Sequence, residues 1–250
     1  MGFDLELALA AVDIADRVTL SAFRRADLLV STKEDETPVT EADRGAELAV
    51  RRFLAEQRPA DAILGEEMGN EGGGTRRWYV DPIDGTANYV RGIPIWATLL
   101  GLEVDGHMQL GVVSAPALGR RWWAQRGEGA FAGPPGQQGE PVGVSRIPRL
   151  ADGQVSLGDV TEQLVRVAAR AKRDRGFGDF WQHMLVAEGA CEAGLDPVVS
   201  IWDVAPLQVI VEEAGGKFTD FAGRARLDSG NAVSSNGLVH DEVIALLSGP

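Results

Sequence analysis

The stretch Trp78-Tyr79-Val80-Asp81-Pro82-Ile83-Asp84-Gly85-Thr86 limits what this chain can become more than any other segment. A short apolar run reads as a buried strand, and this one stops abruptly in two carboxylates three residues apart, with Pro82 between them. Asp-Pro and Asp-Gly pairs commonly mark turns, so a bland reading exists. The same spacing also suits hard cations, because magnesium takes oxygen ligands, keeps several waters and accepts phosphate oxygens. Gly85 lets backbone amides approach an anion, and a helix starting here adds the positive potential of its N-terminus. Cation ligands, an anion cradle and the Thr86 hydroxyl thus fall within one short segment.

The bulk composition decides which partners such a segment would serve. With 24 basic and 37 acidic side chains the net charge is −13, which repels nucleic-acid backbones and anionic membranes. An acidic protein that binds a phosphate needs bound cations to invert the local charge. Cys191 is the single cysteine, so an intramolecular disulfide and a cysteine zinc cluster are excluded. The start, Met1-Gly2-Phe3-Asp4-Leu5-Glu6, carries acids where a signal peptide carries basic residues, and no apolar run approaches membrane-spanning length. The expectation is a soluble, cytoplasmic protein with a small-molecule partner and neither a nucleic-acid nor a membrane partner.

Apolar residues at every third or fourth position (Leu5, Leu9, Val12, Ala15, Leu20, Phe23) predict a helix from Leu5 to about Leu29. A polar loop over Ser31–Thr40 follows, then a helix to about Glu56 that opens with Thr40 and Asp43 in a capping-box arrangement. Short strands are expected at Ala62–Leu64, Trp78–Val80, Ile95–Val104, His107–Ser114 and Arg121–Ala124, with Asp105-Gly106 as a hairpin turn. Ala132–Gly139 reads as a surface loop or a boundary between two halves. Beyond it the pattern predicts strands near Val155, Pro197–Ile201, Phe218 and Val233, and helices at Val160–Ala171, Phe180–Ala187, Val204–Ala214 and from His240. Mixed elements of this kind indicate a layered α/β or α+β architecture. Residues 1–250 suit a single unit, with a subdivision point near 132–150 separating a metal-site half from a substrate half.

Other acids stand at comparable places: Glu66-Glu67 after Ala62-Ile63-Leu64, Asp43 early in a helix, and Asp203 at the opening of another. Taken singly, each is equally a solvated strand end or a residue suited to a helix N-terminus. Taken in order, Gly65-Glu66-Glu67, Asp81-Pro82-Ile83-Asp84-Gly85-Thr86-Ala87-Asn88 and Trp202-Asp203-Val204-Ala205 resemble the inositol monophosphatase family. Lys33, Val39-Thr40-Glu41-Ala42-Asp43 and Glu212-Glu213-Ala214-Gly215-Gly216 agree with it. The resemblance implies a five-layer αβαβα phosphatase fold, a homodimer, and two or three magnesium ions per site. By position it assigns Glu66, Asp81 and the Ile83 carbonyl to a first ion, and Asp81, Asp84 and Asp203 to a second. Glu67 contributes to a labile third site near the catalytic step. Asp43 and Thr86 orient and deprotonate the attacking water, and the Gly85 and Thr86 amides bind phosphate.

The second half resembles the histidinol-phosphatase branch of that family, through Gly178-Asp179, Leu185-Val186-Ala187-Glu188-Gly189, Asp196-Pro197, Trp202-Asp203 and Glu213-Ala214-Gly215-Gly216. Histidinol phosphate carries an ammonium group and an imidazole remote from its phosphate, and Asp179 and Asp196 suit both. Asp179 reads equally as a cap for the helix beginning near Phe180. His183 is a packing residue or a ligand contact, His107 a surface residue, and Trp181 and Trp202 aromatics of the cleft wall. Pro206 departs from the small residue expected after Trp-Asp, and fits a first helical turn. Three readings stay open here: histidinol phosphate as substrate; inositol monophosphate or another sugar or nucleotide phosphate; and a non-catalytic regulatory protein on the same fold.

Overall fold

Three separate apolar faces must be covered in this chain, and the layers of the fold follow from covering them. The computed structural model describes residues 2–33 and 36–249. Helix α1 (Phe3–Ala22) leads into β1 (Val30–Thr32), β2 (Pro38–Thr40), α2 (Glu41–Gln57), β3 (Ala62–Gly65), β4 (Gly69–Glu71), β5 (Arg76–Asp84) and α3 (Thr86–Val90). Then come β6 (Ala97–Val104), β7 (His107–Ala115), β8 (Arg120–Gln125), β9 (Gly129–Gly133) and β10 (Glu140–Val142). The remainder holds β11 (Gln154–Leu157), α4 (Glu162–Ala168), β12 (Arg173–Arg175), α5 (Asp179–Ala187), β13 (Ala193–Asp196) and α6 (Ile201–Glu213). It ends with β14 (Lys217–Thr219), β15 (Ala232–Ser235) and α7 (His240–Ser248).

An eight-stranded sheet runs β10-β9-β8-β7-β6-β5-β3-β4, and a five-stranded sheet runs β12-β11-β13-β15-β14. In the larger sheet β3 and β5 are parallel and the other pairs antiparallel. Helices α1 and α2 cover one face of it, burying Leu5, Val12, Val50 and Leu54 against Trp78, Val80, Leu100 and Val112. Helices α5 and α6 fill the space between the sheets, where Phe180, Met184, Leu207 and Ile210 meet Tyr79, Leu99, Val113 and Phe218. Leu164 and Val167 of α4 and Val243 and Leu247 of α7 close the outer face of the small sheet over Val155, Leu195 and Val233. The result is the five-layer αβαβα arrangement. Among the described residues no helix is long and apolar enough to cross a membrane.

The hydrophobic α6 packs directly on the large sheet at Gly101 and Gly111, which are paired across β6 and β7 and leave room for it. A Cβ on Gly111 would stand 2.2 Å from the Pro206 carbonyl oxygen, and one on Gly101 3.2 Å from its nitrogen. This contact delivers the amino end of α6 to the carboxyl end of β5.

Several local expectations are corrected. Helix α1 stops at Ala22 rather than about Leu29, since Phe23 turns away to pack on Tyr89 and Trp96 and Arg24 takes φ 63°. Its apolar period continues because Phe23 and Leu28 reach the core from a turn. The polar stretch after it forms the β1–β2 hairpin, whose first strand is wholly exposed and shows no alternation; Glu34 and Asp35 lie outside the described residues. The loop expected from Ala132 begins instead after β9, where Phe131 stacks on Trp123. The strand expected at Pro197–Ile201 is β13, and Val198 beyond it is exposed. Helix α6 opens at Ile201 with Ser200 as N-cap, so Asp203 is its third residue and Pro206 its sixth, past the first turn.

Candidate metal and phosphate site

In a regular strand residues 81 and 84 would face opposite sides of the sheet. The pairing of β5 with β6 slips between Asp81 and Asp84, and this irregularity re-aims both side chains. Two bonds hold it: the Ile83 N–H donates to Asp81 Oδ1 at 3.0 Å, and Thr98 Oγ1 donates to the Pro82 carbonyl at 2.8 Å. The capping box of α6 then contributes Asp203, whose Oδ2 accepts the Ser200 N–H at 2.7 Å. Asp81, Asp84 and Asp203 consequently offer one oxygen each within 4.8 Å of one another.

Glu66 reaches the same cleft through the parallel neighbour β3, where Gly65 stands beside Val80 and the Glu66 N–H donates to the Val80 carbonyl at 3.1 Å. Glu66, Asp81, Ile83, Asp84, Gly85, Thr86, Asp179 and Asp203 line one cleft of about 320 Å³. Glu67 stands behind Glu66, and Lys33 Nζ lies 2.7 Å from Glu66 Oε1 and 2.6 Å from Glu67 Oε1. Asp196 opens on an adjoining crevice with Asp84, Asp179, His183 and Asp203.

Asp43 has no exposed surface. Its Oδ2 accepts from the Thr40 N–H at 2.8 Å and the Thr40 hydroxyl at 2.6 Å, completing the capping box of α2. The Thr86 hydroxyl lies 3.1 Å from Asp43 Oδ1 and 2.8 Å from the Ile83 carbonyl, so its one proton has two acceptors in reach. Gly85, at φ 83°, precedes the first turn of α3, and a Cβ there would sit 3.0 Å from the Ile95 carbonyl.

Asp179 does not cap α5. It is the first residue of that helix, at φ 49°, and the amide of Phe180 donates instead to Asp84 Oδ2 at 2.6 Å. The Asp179 carboxylate receives Asn88 Nδ2 at 3.3 Å. His183 is buried, with Nδ1 2.8 Å from Ser234 Oγ and Nε2 3.2 Å from Asp196 Oδ2, so it orients Asp196. His107 is exposed beside its turn, as expected.

Burial and mutual repulsion set the protonation of these acids. Burial, then repulsion from Glu66, Asp84 and Asp203, holds Asp81 well above the usual carboxylate range. Burial, then Asp179 and Asp203, does the same to Asp84. Asp203 is pushed up to about 7 by burial and by Glu66, Asp196 and Asp179, against the lowering effect of the Ser200 amide. Asp179 is pushed up to about 6 by burial and by Asp196. Burial also raises Asp43. Acids this close cannot all ionise without positive charge between them. The donors are hard oxygens, the set that magnesium prefers, so the residues fit that ion.

Residues 4–248 match the profile of the inositol monophosphatase family. The chain belongs to that family. A histidinol-phosphatase of Mycobacterium tuberculosis is 46% identical over 254 aligned residues, covering 98% of each chain. A histidinol-phosphatase of Streptomyces coelicolor is 46% identical over 257, covering 98% of this chain and 97% of the relative. The solved structure of an inositol monophosphatase from Thermotoga maritima superposes with a TM-score of 0.89 at 33% identity, covering 98% of this chain and 96% of that one. The protein is therefore a phosphatase of the inositol monophosphatase family.

For this phosphatase the raised acids give a pH dependence with a definite sign. A carboxyl whose folded value exceeds its ordinary 3.8 binds protons more tightly when folded. It adds stability below its ordinary value, and that stability is lost as pH rises through about 6 for Asp179 and about 7 for Asp203. The thermal midpoint of chelator-treated protein should fall from pH 5 to pH 8 by roughly 5 °C or more, and magnesium should restore it at pH 8. Scanning calorimetry checks this; a midpoint that rises over the interval would refute the crowding of these acids.

Proposed function

We propose that this phosphatase is magnesium-dependent and hydrolyses histidinol phosphate to histidinol and phosphate. The observation that carries the substrate is the pair of carboxylates, Asp179 and Asp196, lining the crevice that adjoins the cluster of Asp81, Asp84 and Asp203. The 46% identity to two histidinol-phosphatases supports the same reading. An ammonium or imidazole group facing such partly buried carboxylates gains charge-assisted hydrogen bonds of about 1.5–3 kcal/mol each, which an inositol ring with only hydroxyls does not.

Glu66, Asp81, Asp84, Asp203 and the Ile83 carbonyl would hold magnesium, with Glu67 beside them. When bound, magnesium supplies positive charge that draws in the phosphate and makes a water easier to deprotonate. The protein's own groups do the rest. The Gly85 and Thr86 amides bind phosphate oxygens, which the left-handed Gly85 backbone leaves uncovered. Thr86, when it donates to Asp43 rather than to the Ile83 carbonyl, would accept a proton from the attacking water on its hydroxyl oxygen, and Asp43 would take the proton passed on. Asp43 suits that role because burial raises its affinity for a proton while Thr40 keeps it oriented.

A substrate panel with magnesium tests the assignment. Histidinol phosphate is expected to exceed inositol-1-phosphate in kcat/KM by at least about tenfold, the equivalent of one charge-assisted bond. Asp179→Asn should lower kcat/KM for histidinol phosphate about tenfold more than for a neutral ester. Faster turnover of inositol-1-phosphate, or equal losses in the variant, would displace histidinol phosphate in favour of a sugar phosphate.

A further inference from the structure

Glu47 lies one helical turn beyond Asp43 on α2, has no exposed surface, and directs its carboxylate at the main chain of the turn that carries Glu66 and Glu67. Oε2 accepts the Glu67 N–H at 2.7 Å, and Oε1 accepts the Met68 N–H at 3.1 Å. Arg51, one turn further along, donates from Nε to the same Oε1 at 2.7 Å. Its other nitrogens reach the Gly69 carbonyl and Glu71 Oε2. The connection between β3 and β4 is thereby tied at both ends to one helix. The same contact accounts for glycine before the paired acids, since a Cβ on Gly65 would stand 2.2 Å from Glu47 Oε1 and 2.5 Å from its Cδ.

That turn needs restraint. Its two glutamates repel each other and Glu66 also repels Asp81, while the Lys33 ammonium draws both glutamates toward β1. Backbone bonds to a fixed, charge-balanced carboxylate oppose both tendencies. They also keep the turn at a constant distance from Asp43, because Asp43 and Glu47 stand on the same two turns of α2.

We propose that Glu47 is a positioning residue of this phosphatase: it holds the Glu66–Glu67 turn in the geometry that grips the divalent cations, in register with Asp43. The proposal rests on the reading of Glu66 and Glu67 as residues that meet those cations. It assigns Gly65 the part of admitting the Glu47 carboxylate and Arg51 that of balancing its charge. Partners that orient metal ligands commonly contribute ten- to a hundredfold in metal affinity, and the same range applies here.

Glu47→Gln places an amide N–H against one of the two backbone donors and releases that half of the turn. Magnesium binding followed by calorimetry is expected to weaken at least about tenfold, and the magnesium needed for half-maximal phosphatase activity to rise with it. Most of the lost turnover should return at high magnesium. Gly65→Ala, which pushes the carboxylate off the amides without changing charge, is expected to do the same. Glu66→Gln separates the two levels of the argument: if it leaves magnesium binding unchanged, the reading of the site fails, whatever Glu47 does. Hydrogen exchange on the metal-free wild type needs no variant, and the Glu67 and Met68 amides should exchange slowly although neither residue belongs to a strand. Rapid exchange there, or a folded Glu47→Gln or Gly65→Ala protein with a lower thermal midpoint but wild-type magnesium affinity, would reduce Glu47 to a structural residue and overturn the proposal.

Discussion

Replacing Asp81 by asparagine is expected to lower kcat/KM by about a hundred- to a thousandfold, the scale of losing one central electrostatic contact in an active site. Asp81 is 2% exposed and its charge interacts with Glu66, Asp84 and Asp203 together, so it is the hub of the acidic cluster. Asparagine keeps the acceptor for the Ile83 amide and has nearly the same shape, so the slip in β5 persists. The folded protein should not suffer; removing one of several crowded carboxylates relieves repulsion. The thermal midpoint of the metal-free variant at pH 8 is therefore expected to equal or exceed that of the wild type, while the gain on adding magnesium shrinks. Steady-state kinetics with a magnesium titration, set beside calorimetry with and without chelator, distinguish this from misfolding. Wild-type turnover at saturating magnesium would remove Asp81 from the mechanism.

What made the cluster legible was local: acids at the ends of apolar runs, and a proline and a glycine around two of them. The elements followed wherever pattern and packing agreed. Asp105-Gly106 does form the hairpin turn, with φ 51° and 78°, and Thr40 with Asp43 does form the capping box. The geometry that joins the acids was not local. Glu66 meets Asp81 because β3 and β5, separated by ten residues, pair in parallel. Asp203 arrives because two glycines on facing strands admit α6. The slip that turns Asp81 and Asp84 to one side depends on Thr98 of the neighbouring strand. β13 leaves little trace in the apolar pattern because Ala193-Gly194-Leu195 offers little apolar bulk, and its Gly194 is needed where Gln182 and Ser234 crowd it. The tasks of Glu47 and His183 left a fainter mark. An acid one turn after Asp43, followed by Arg51 at i+4, is a common exposed helix pair, and nothing in its spacing reveals that it is buried.

Thr86→Ala probes a different link, the transfer of the proton rather than the binding of cations, and should lower kcat by about a hundredfold or more. The Thr86 hydroxyl hydrogen-bonds Asp43 at 3.1 Å, and Asp43 itself has no exposed surface. Without the hydroxyl the carboxylate still has both bonds from Thr40 and stays in place, but the attacking water loses its connection to it. Metal affinity should change far less than turnover, since the carboxylates of the cluster keep their own anchors at Ile83, Phe180 and Ser200. Thr86→Ser restores the hydroxyl and is expected to retain kcat within about tenfold of wild type. The loss should thus appear in kcat at saturating substrate and magnesium, where binding no longer limits the rate. An alanine variant that turns over as fast as the serine variant under those conditions would show that Asp43 acts only as the cap of α2, and that the water gives up its proton elsewhere.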